Sequence, residues 1–150
     1  MRSLFIIAIT LLIISCSSSE ERKVIGKWYT YAESGDYMEL WLSEDKAMTY
    51  LSSIDQFLLY DLKRDENRLK FSLIESKFIE EHNFELAINK SDEELFQATF
   101  IGDQKIDSLK TYFLLDREVP VIKSTLSENA SLMEELFVRL ESGSHAGHGH

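Results

Sequence analysis

The feature that most constrains the fold of this 150-residue chain is an alternation of apolar and polar residues in short segments between residues 24 and 115. In "LKFSLI", for example, Leu69, Phe71 and Leu73 alternate with Lys70 and Ser72. A period of two is the spacing of a β-strand with one buried face. The pattern predicts about eight strands, at 24–31, 37–42, 47–51, 57–62, 69–74, 78–89, 95–101 and 107–115.

Short polar connectors separate these segments and contain turn-forming residues. Examples are "SEDK" at 43–46, "KSDEE" at 90–94 and "GDQK" at 102–105. Because such connectors leave no room for crossover helices, we expect neighbouring strands to pair antiparallel as hairpins. The sixth segment is long, and we expect it to bend or bulge near residues 80–83.

One helix is predicted after the last strand, within "TLSENASLMEELFVRLESG" at 125–143. Thr125 and Glu128 have the spacing of a capping box before it, and Gly143 follows its last apolar residue. We expect the helix to pack its apolar face against the outside of the sheet. That face comprises Ala130, Met133, Leu136, Phe137 and Leu140.

The predicted fold class is mainly β: an antiparallel, up-and-down, eight-stranded barrel with a C-terminal α-helix, over residues 24–141. Eight such strands can close on themselves, which removes edge strands and encloses a core. A barrel of this size is either filled by side chains or holds one small ligand. The expected interior residues, and so the candidate ligand contacts, are Met38, Leu40, Tyr50, Leu58, Tyr60, Phe71, Leu73, Phe84, Leu86, Phe96 and Phe100.

The first strand carries "IGKWY" at 25–29, which resembles the GxW motif at the start of lipocalins and other calycins. In that family the tryptophan plugs one end of the barrel, and an arginine near the end of the last strand packs over its ring. The resemblance implies that Gly26, Trp28 and Arg117 close the barrel and that the interior binds a small hydrophobic or amphipathic molecule. A solvated surface position for Arg117 is the alternative.

The start of the chain contains the only cysteine, Cys16. Arg2 precedes an apolar run at 4–14, which is shorter than the roughly 20 residues of a membrane-spanning helix and has the order of a secretory signal. The residues "IISC" at 13–16 resemble the bacterial lipobox. This implies a signal peptide at 1–15, a diacylglyceryl group on the thiol and acylation of the new amino terminus. A free thiol and an uncleaved anchor are the alternatives.

Two or three acyl chains, at about 0.8 kcal/mol per buried methylene, would hold such a lipoprotein stably on a membrane. The polar residues 16–23 then form a flexible tether. No Asp follows Cys16, which in lipoproteins of this kind implies the outer membrane. A weak resemblance of the Ser-rich, acidic tether to export signals leaves both periplasmic and surface positions open.

The charge balance excludes some partners. The chain has 26 acidic and 16 basic residues, with a formal net charge of −10. This argues against nucleic acid, whose phosphates require a basic surface, and against flat contact with anionic lipid.

The sequence offers little for an enzyme, and we expect no catalytic residue and no cofactor. His82 is the only histidine outside the tail and follows Glu80 and Glu81. Carboxylate and imidazole groups can do acid–base work, but adjacent strand residues point to opposite faces. A solvated bend explains this stretch better. No nucleophile motif or phosphate loop is present in the sequence.

The last residues, "SGSHAGHGH" at 142–150, are expected to form a disordered tail. Its imidazoles, on His145, His148 and His150, are weak candidates for a loose metal site, and we predict no defined metal centre.

Aromatic residues on the outer face suggest an alternative function. Tyr31, Tyr37, Trp41 and Phe57 fall opposite the expected interior. They form either an exposed patch or a surface that the last helix covers. In the first case a filled barrel would act as a tethered interaction or accessory module with an envelope protein partner.

Overall fold

A computed structural model of the protein describes residues 24–101 and 108–142. Eight antiparallel strands follow one another around a closed barrel, in which β1 also pairs with β8. The predicted closure and the single C-terminal helix are therefore confirmed. The strands are β1 (Gly26–Tyr31), β2 (Tyr37–Leu42), β3 (Lys46–Leu51), β4 (Gln56–Asp65), β5 (Arg68–Ser76), β6 (Phe84–Ser91), β7 (Leu95–Ile101) and β8 (Leu109–Asp116); the helix, α1, is Ala130–Glu141.

Several predicted features lie outside the described residues. They are the signal segment, Cys16 and the whole tether at the start of the chain, and Gly143, His145, His148 and His150 at its end. Among the residues that are described, no helix combines the length and the apolar character needed to cross a bilayer.

The sixth strand begins later than predicted. Residues 77–83 connect β5 to β6 outside the sheet, and Ser76 Oγ accepts hydrogen bonds from the backbone N–H groups of Phe78 and Ile79. Asn83 then accepts a bond from the backbone of Leu73 through its side-chain oxygen. These side-chain bonds replace strand pairing. The bulge expected near residues 80–83 lies instead between Ile88 and Lys90.

Most of the predicted interior residues lie in the apolar cluster inside the barrel. Of these, Leu40, Leu58, Tyr60, Phe71, Leu86 and Phe96 are buried, and Met38, Leu73, Phe84 and Phe100 pack against them. Alternation along each strand produces this arrangement, because every second side chain points inward.

The interior position expected for Tyr50 is wrong. On β3, Ala47 belongs to the inner cluster, whereas Met48 and Tyr50 belong to a second cluster under α1. The Tyr50 ring lies 5.0 Å from that of Phe57, and its hydroxyl donates to Asp55 at 3.0 Å. Both faces of β3 are buried, so its apolar residues do not reveal which face is inside.

The helix packs against the outer face of β2, β3 and β4. Leu136 is fully buried against the second cluster, together with Trp41. The predicted Thr125–Glu128 capping box forms, but before a short 3-10 turn at Ser127–Asn129 that precedes α1. Ala130, which was expected on the packed face, is exposed.

Candidate ligand cavity

The two ends of the barrel differ in what fills them. The Trp28 end comprises the start of β1 and the hairpin turns at 43–45, 66–67 and 92–94. The His82 end comprises the connections at 32–36, 52–55 and 77–83.

Aromatic side chains fill the Trp28 end. Trp28 is buried, and its ring meets the ring of Phe96 edge-on at 4.9 Å. Phe96 stacks on Tyr112, with ring centres 4.5 Å apart. Where β1 meets β8, Gly26 has a φ of +122°, and a Cβ there would lie 2.8 Å from the carbonyl oxygen of Asp116. The seam therefore requires glycine.

Arg117 does not pack over Trp28. Its side chain is 62% exposed and donates to the backbone carbonyl of Glu93. Trp28 pairs with Leu114, and β8 ends at Asp116, so Arg117 lies beyond the barrel wall. The solvated alternative is the correct one.

A different arginine closes this end. Arg64 donates to the carbonyl oxygens of Ser43 and Val24, at 2.8 and 3.3 Å. It thereby joins the end of β4 to the turn after β2 and to Val24, two residues before β1. Burial lowers the pKa of this guanidinium.

Inside the His82 end lies a cavity of about 100 Å³. Six of the predicted interior residues line it, whereas Leu58, Phe71, Leu73 and Phe96 lie elsewhere in the core. The full lining comprises Met38, Leu40, Thr49, Leu51, Tyr60, His82, Phe84, Leu86, Phe100, Lys110 and Tyr112.

One wall of the cavity is aromatic. Phe84 stacks on Phe71 at 4.3 Å and on Phe100 at 5.1 Å, with interplanar angles of 6° and 20°. The Tyr60 ring meets Phe84 edge-on at 5.5 Å. Stacked and edge-on contacts are the favourable geometries for aromatic pairs, so they hold this wall in place.

Polar groups converge on the same cavity. Nδ1 of His82 lies 2.9 Å from the hydroxyl oxygen of Tyr60. Burial lowers the pKa of His82 and raises that of Tyr60, so the imidazole is neutral and the phenol protonated at neutral pH. Lys110 also lines the cavity, and no carboxylate of the described chain forms an ion pair with it.

Sequence reasoning missed two of these polar groups. Lys110 alternates with Tyr112 and Leu114 in "LKTYFLLD", so the period of two could have placed it on the inner face, but the sequence analysis did not include it among the interior residues. No sequence pattern indicated that His82 faces the cavity. It lies in the connection at 77–83, where the backbone follows no strand period, and its ring turns toward Tyr60 instead of solvent.

The outer aromatic residues divide into two groups. The helix covers Trp41 and Phe57, which agrees with the alternative that the last helix covers the outer aromatic residues. Tyr31 remains 49% exposed, and its ring lies 6.2 Å from that of Tyr29. Tyr29 in turn lies 5.6 Å from Phe113, which is also exposed.

No protein-family model, curated protein or solved structure matches the chain. The likeness to lipocalins consists of the "IGKWY" motif and of the closed, up-and-down barrel topology.

Proposed function

We propose that the protein is a lipid-anchored, lipocalin-like barrel of the bacterial outer membrane that binds a small hydrophobic or amphipathic molecule and catalyses no reaction. The cavity at the His82 end is the observation that carries this proposal. It is a concave apolar site with a few converging polar groups, which is the usual composition of a small-molecule site.

The volume of the cavity limits what it holds. An apolar cavity of roughly 150 Å³ accommodates benzene, so about 100 Å³ corresponds to roughly four non-hydrogen atoms. The ligand is therefore short, or only one end of it enters the barrel.

The anchor determines how the barrel is presented. The proposed tether at 16–23 spans at most about 29 Å when fully extended, so the barrel stays near the membrane. The tether joins the barrel at the Trp28 end, because Val24 belongs to the inner cluster just before β1. The cavity then lies at the opposite end of the barrel from the anchor.

The anchor is tested by labelling bacteria that express the full chain with a palmitate analogue. We expect label on the wild type, none on Cys16→Ser, and retention of the wild type in the membrane fraction. Label that persists in Cys16→Ser would contradict the assignment.

Ligand binding is tested by mass spectrometry of organic extracts from the full chain, purified from membranes in detergent. We expect a co-purifying small molecule that is lost in Thr49→Met, which fills the cavity, and retained in Thr99→Met on the outer face. Blank extracts of the wild type across several preparations would count against the proposal.

A second function is favoured by an aromatic group on the outer face, in which the exposed Tyr31 and Phe113 flank the half-buried Tyr29. Exposed aromatic side chains are typical of protein interfaces, and this group would let the barrel act as a tethered accessory module. A photo-crosslinking residue at Tyr31 distinguishes the two functions. Specific crosslinks to one envelope protein, absent when the residue is placed at Lys63, would support the accessory role.

A further inference from the structure

We propose that the cavity at the His82 end selects a carboxylate, so that the ligand is a short-chain carboxylic acid or the acid end of a larger amphipathic molecule. This inference rests on the proposed ligand-binding function and assigns its chemical class. Both kinds of ligand present a planar anion with a short apolar chain. We infer that Lys110 binds the anion and that Tyr60 orients it.

Lys110 has no carboxylate partner in the described chain. It lies on β8, with Ala98 as its neighbour on β7 and Tyr112 next on the inner face. The Lys110 side chain is half-buried, so an anion beside the ammonium group would be screened by water less than at the outer surface. An entering carboxylate would supply that partner.

Unlike Lys110, four lysines of the described chain form ion pairs, and all four lie on the outer face of the barrel. Lys27 is buried where it pairs with Glu135 of α1. The others are partly or fully exposed and gain little from such a pair, whereas a pair inside the cavity is less screened by water. The outer pairs are Lys27 with Glu135, Lys46 with Asp61, Lys70 with Asp65 and Lys90 with Asp92.

No acidic side chain lines the cavity among the described residues. Glu80 and Glu81, which precede His82, are exposed. The chain as a whole is strongly acidic, with a net charge of −10, whereas the charged residue that lines the cavity, Lys110, is positive. An anion that enters meets Lys110 and the neutral groups Tyr60, His82 and Tyr112.

Tyr60 and His82 supply a neutral hydrogen-bond donor. When the neutral imidazole carries its proton on Nδ1, it donates to the Tyr60 oxygen over the observed 2.9 Å. The hydroxyl proton of Tyr60 is then not used by His82 and can bond a carboxylate oxygen of the ligand, in competition with the neighbouring Thr49 side chain. The anion thus gains one charged and one neutral donor, and its apolar chain lies against Phe84 and Leu86.

The test compares butanoate with its neutral isostere butanamide by ligand-observed NMR on the full chain in a nonionic detergent, with empty micelles as the blank. The carboxylate end of butanoate enters the cavity, and its last carbons remain at the mouth, because the cavity holds only roughly four non-hydrogen atoms. For the wild type we expect butanoate to bind at least about tenfold more tightly, as a charge-assisted bond would require. Lys110→Met should abolish the preference, and Lys110→Arg should retain it. Lys63→Met removes the same charge from the outer surface and should leave the preference unchanged.

The outcomes separate the two proposals. Equal binding of both probes to the wild type would overturn the carboxylate inference and leave small-molecule binding intact. An unchanged preference in a folded Lys110→Met would overturn the role of Lys110. If Lys110→Met does not fold, Tyr60→Phe replaces it and should weaken butanoate binding more than butanamide binding. If neither butanoate nor butanamide binds the wild type, both the inference and the proposed function are contradicted.

Discussion

One guanidinium nitrogen of Arg139, Nη2, lies 2.6 Å from both carboxylate oxygens of Glu39 and thereby joins α1 to the wall of the barrel. Glu39 is fully buried and also accepts hydrogen bonds from the Tyr37 hydroxyl and the Trp41 indole, each at 2.6 Å. Burial, reinforced by this carboxylate, raises the pKa of Tyr37. Three donors thus compensate a charge that is withdrawn from water.

Arg139→Met should lower the free energy of unfolding by about 3–5 kcal/mol, because it leaves the buried carboxylate without its charged partner. The measurement is urea unfolding followed by tryptophan fluorescence. The double variant Glu39→Met/Arg139→Met should be more stable than Arg139→Met alone, since it removes both charges.

Arg68→Met is the matched control for this pair. Its partner Glu85 lies 3.4 Å away on the exposed outer surface, so the loss should be at most about 1 kcal/mol. Equal losses in Arg139→Met and Arg68→Met would show that the Glu39 ion pair does not hold the helix in place.

Gly26→Ala should destabilise the barrel more than Gly35→Ala. Both glycines have positive φ, at +122° and +87°, so each alanine carries backbone strain of about 1 kcal/mol or more. Only at Gly26 would the new Cβ also meet a backbone atom, the carbonyl oxygen of Asp116 at 2.8 Å. Thermal unfolding followed by circular dichroism compares them. A similar loss in both variants would contradict the tight seam between β1 and β8.

The two arginines near the Trp28 end should differ in their effect on stability. Arg64→Met removes bonds to two backbone carbonyls and should cost about 1.5–3 kcal/mol. Arg117→Met changes an exposed side chain and should stay within about 0.5 kcal/mol of the wild type. Urea unfolding of the two variants provides the comparison, and a larger loss for Arg117→Met would restore the role that the lipocalin resemblance implies.

His82 should make stability depend on pH in a defined direction. Burial lowers its pKa from the ordinary 6.5, so the unfolded chain takes up this proton first as the pH falls. The stabilising contribution is complete above about pH 6.5 and decreases as the pH falls toward the folded pKa.

The pH effect is isolated by comparing the wild type with His82→Gln between about pH 7.5 and 5.5. The wild type should lose stability relative to the variant on acidification, and NMR should show its ring titrating below 6.5. A ring pKa at or above the ordinary value would contradict the buried position beside Tyr60.

The strand order and the closure of the barrel were predictable because they depend on a repeated local signal. Each hairpin needs only two alternating segments and a short polar turn, and eight such segments in a row leave β1 beside β8. Whether a buried strand residue points into the barrel or toward α1 was less predictable. Tyr50 and Leu58 are both buried, but α1 covers one and the barrel interior holds the other.

The polar part of the cavity depends on contacts that no local pattern encodes. His82 reaches Tyr60 across 22 residues of sequence, from a connection whose path is fixed by hydrogen bonds of Ser76 and Asn83. The contacts of Arg64 and Arg117 are likewise not encoded by a local sequence pattern. Their positions in the sequence do not reveal which one meets the backbone at the Trp28 end.

Whether a ligand binds inside the barrel is tested most directly with methionine methyl groups as reporters in one NMR spectrum. Met38 lines the cavity, whereas Met48 is buried under α1 in the outer cluster. On titration of the full chain with butanoate, an interior ligand site should give a saturable shift of the Met38 methyl signal and none of the Met48 signal. A shift of Met48 with Met38 unchanged, or no shift of either, would contradict an interior ligand site.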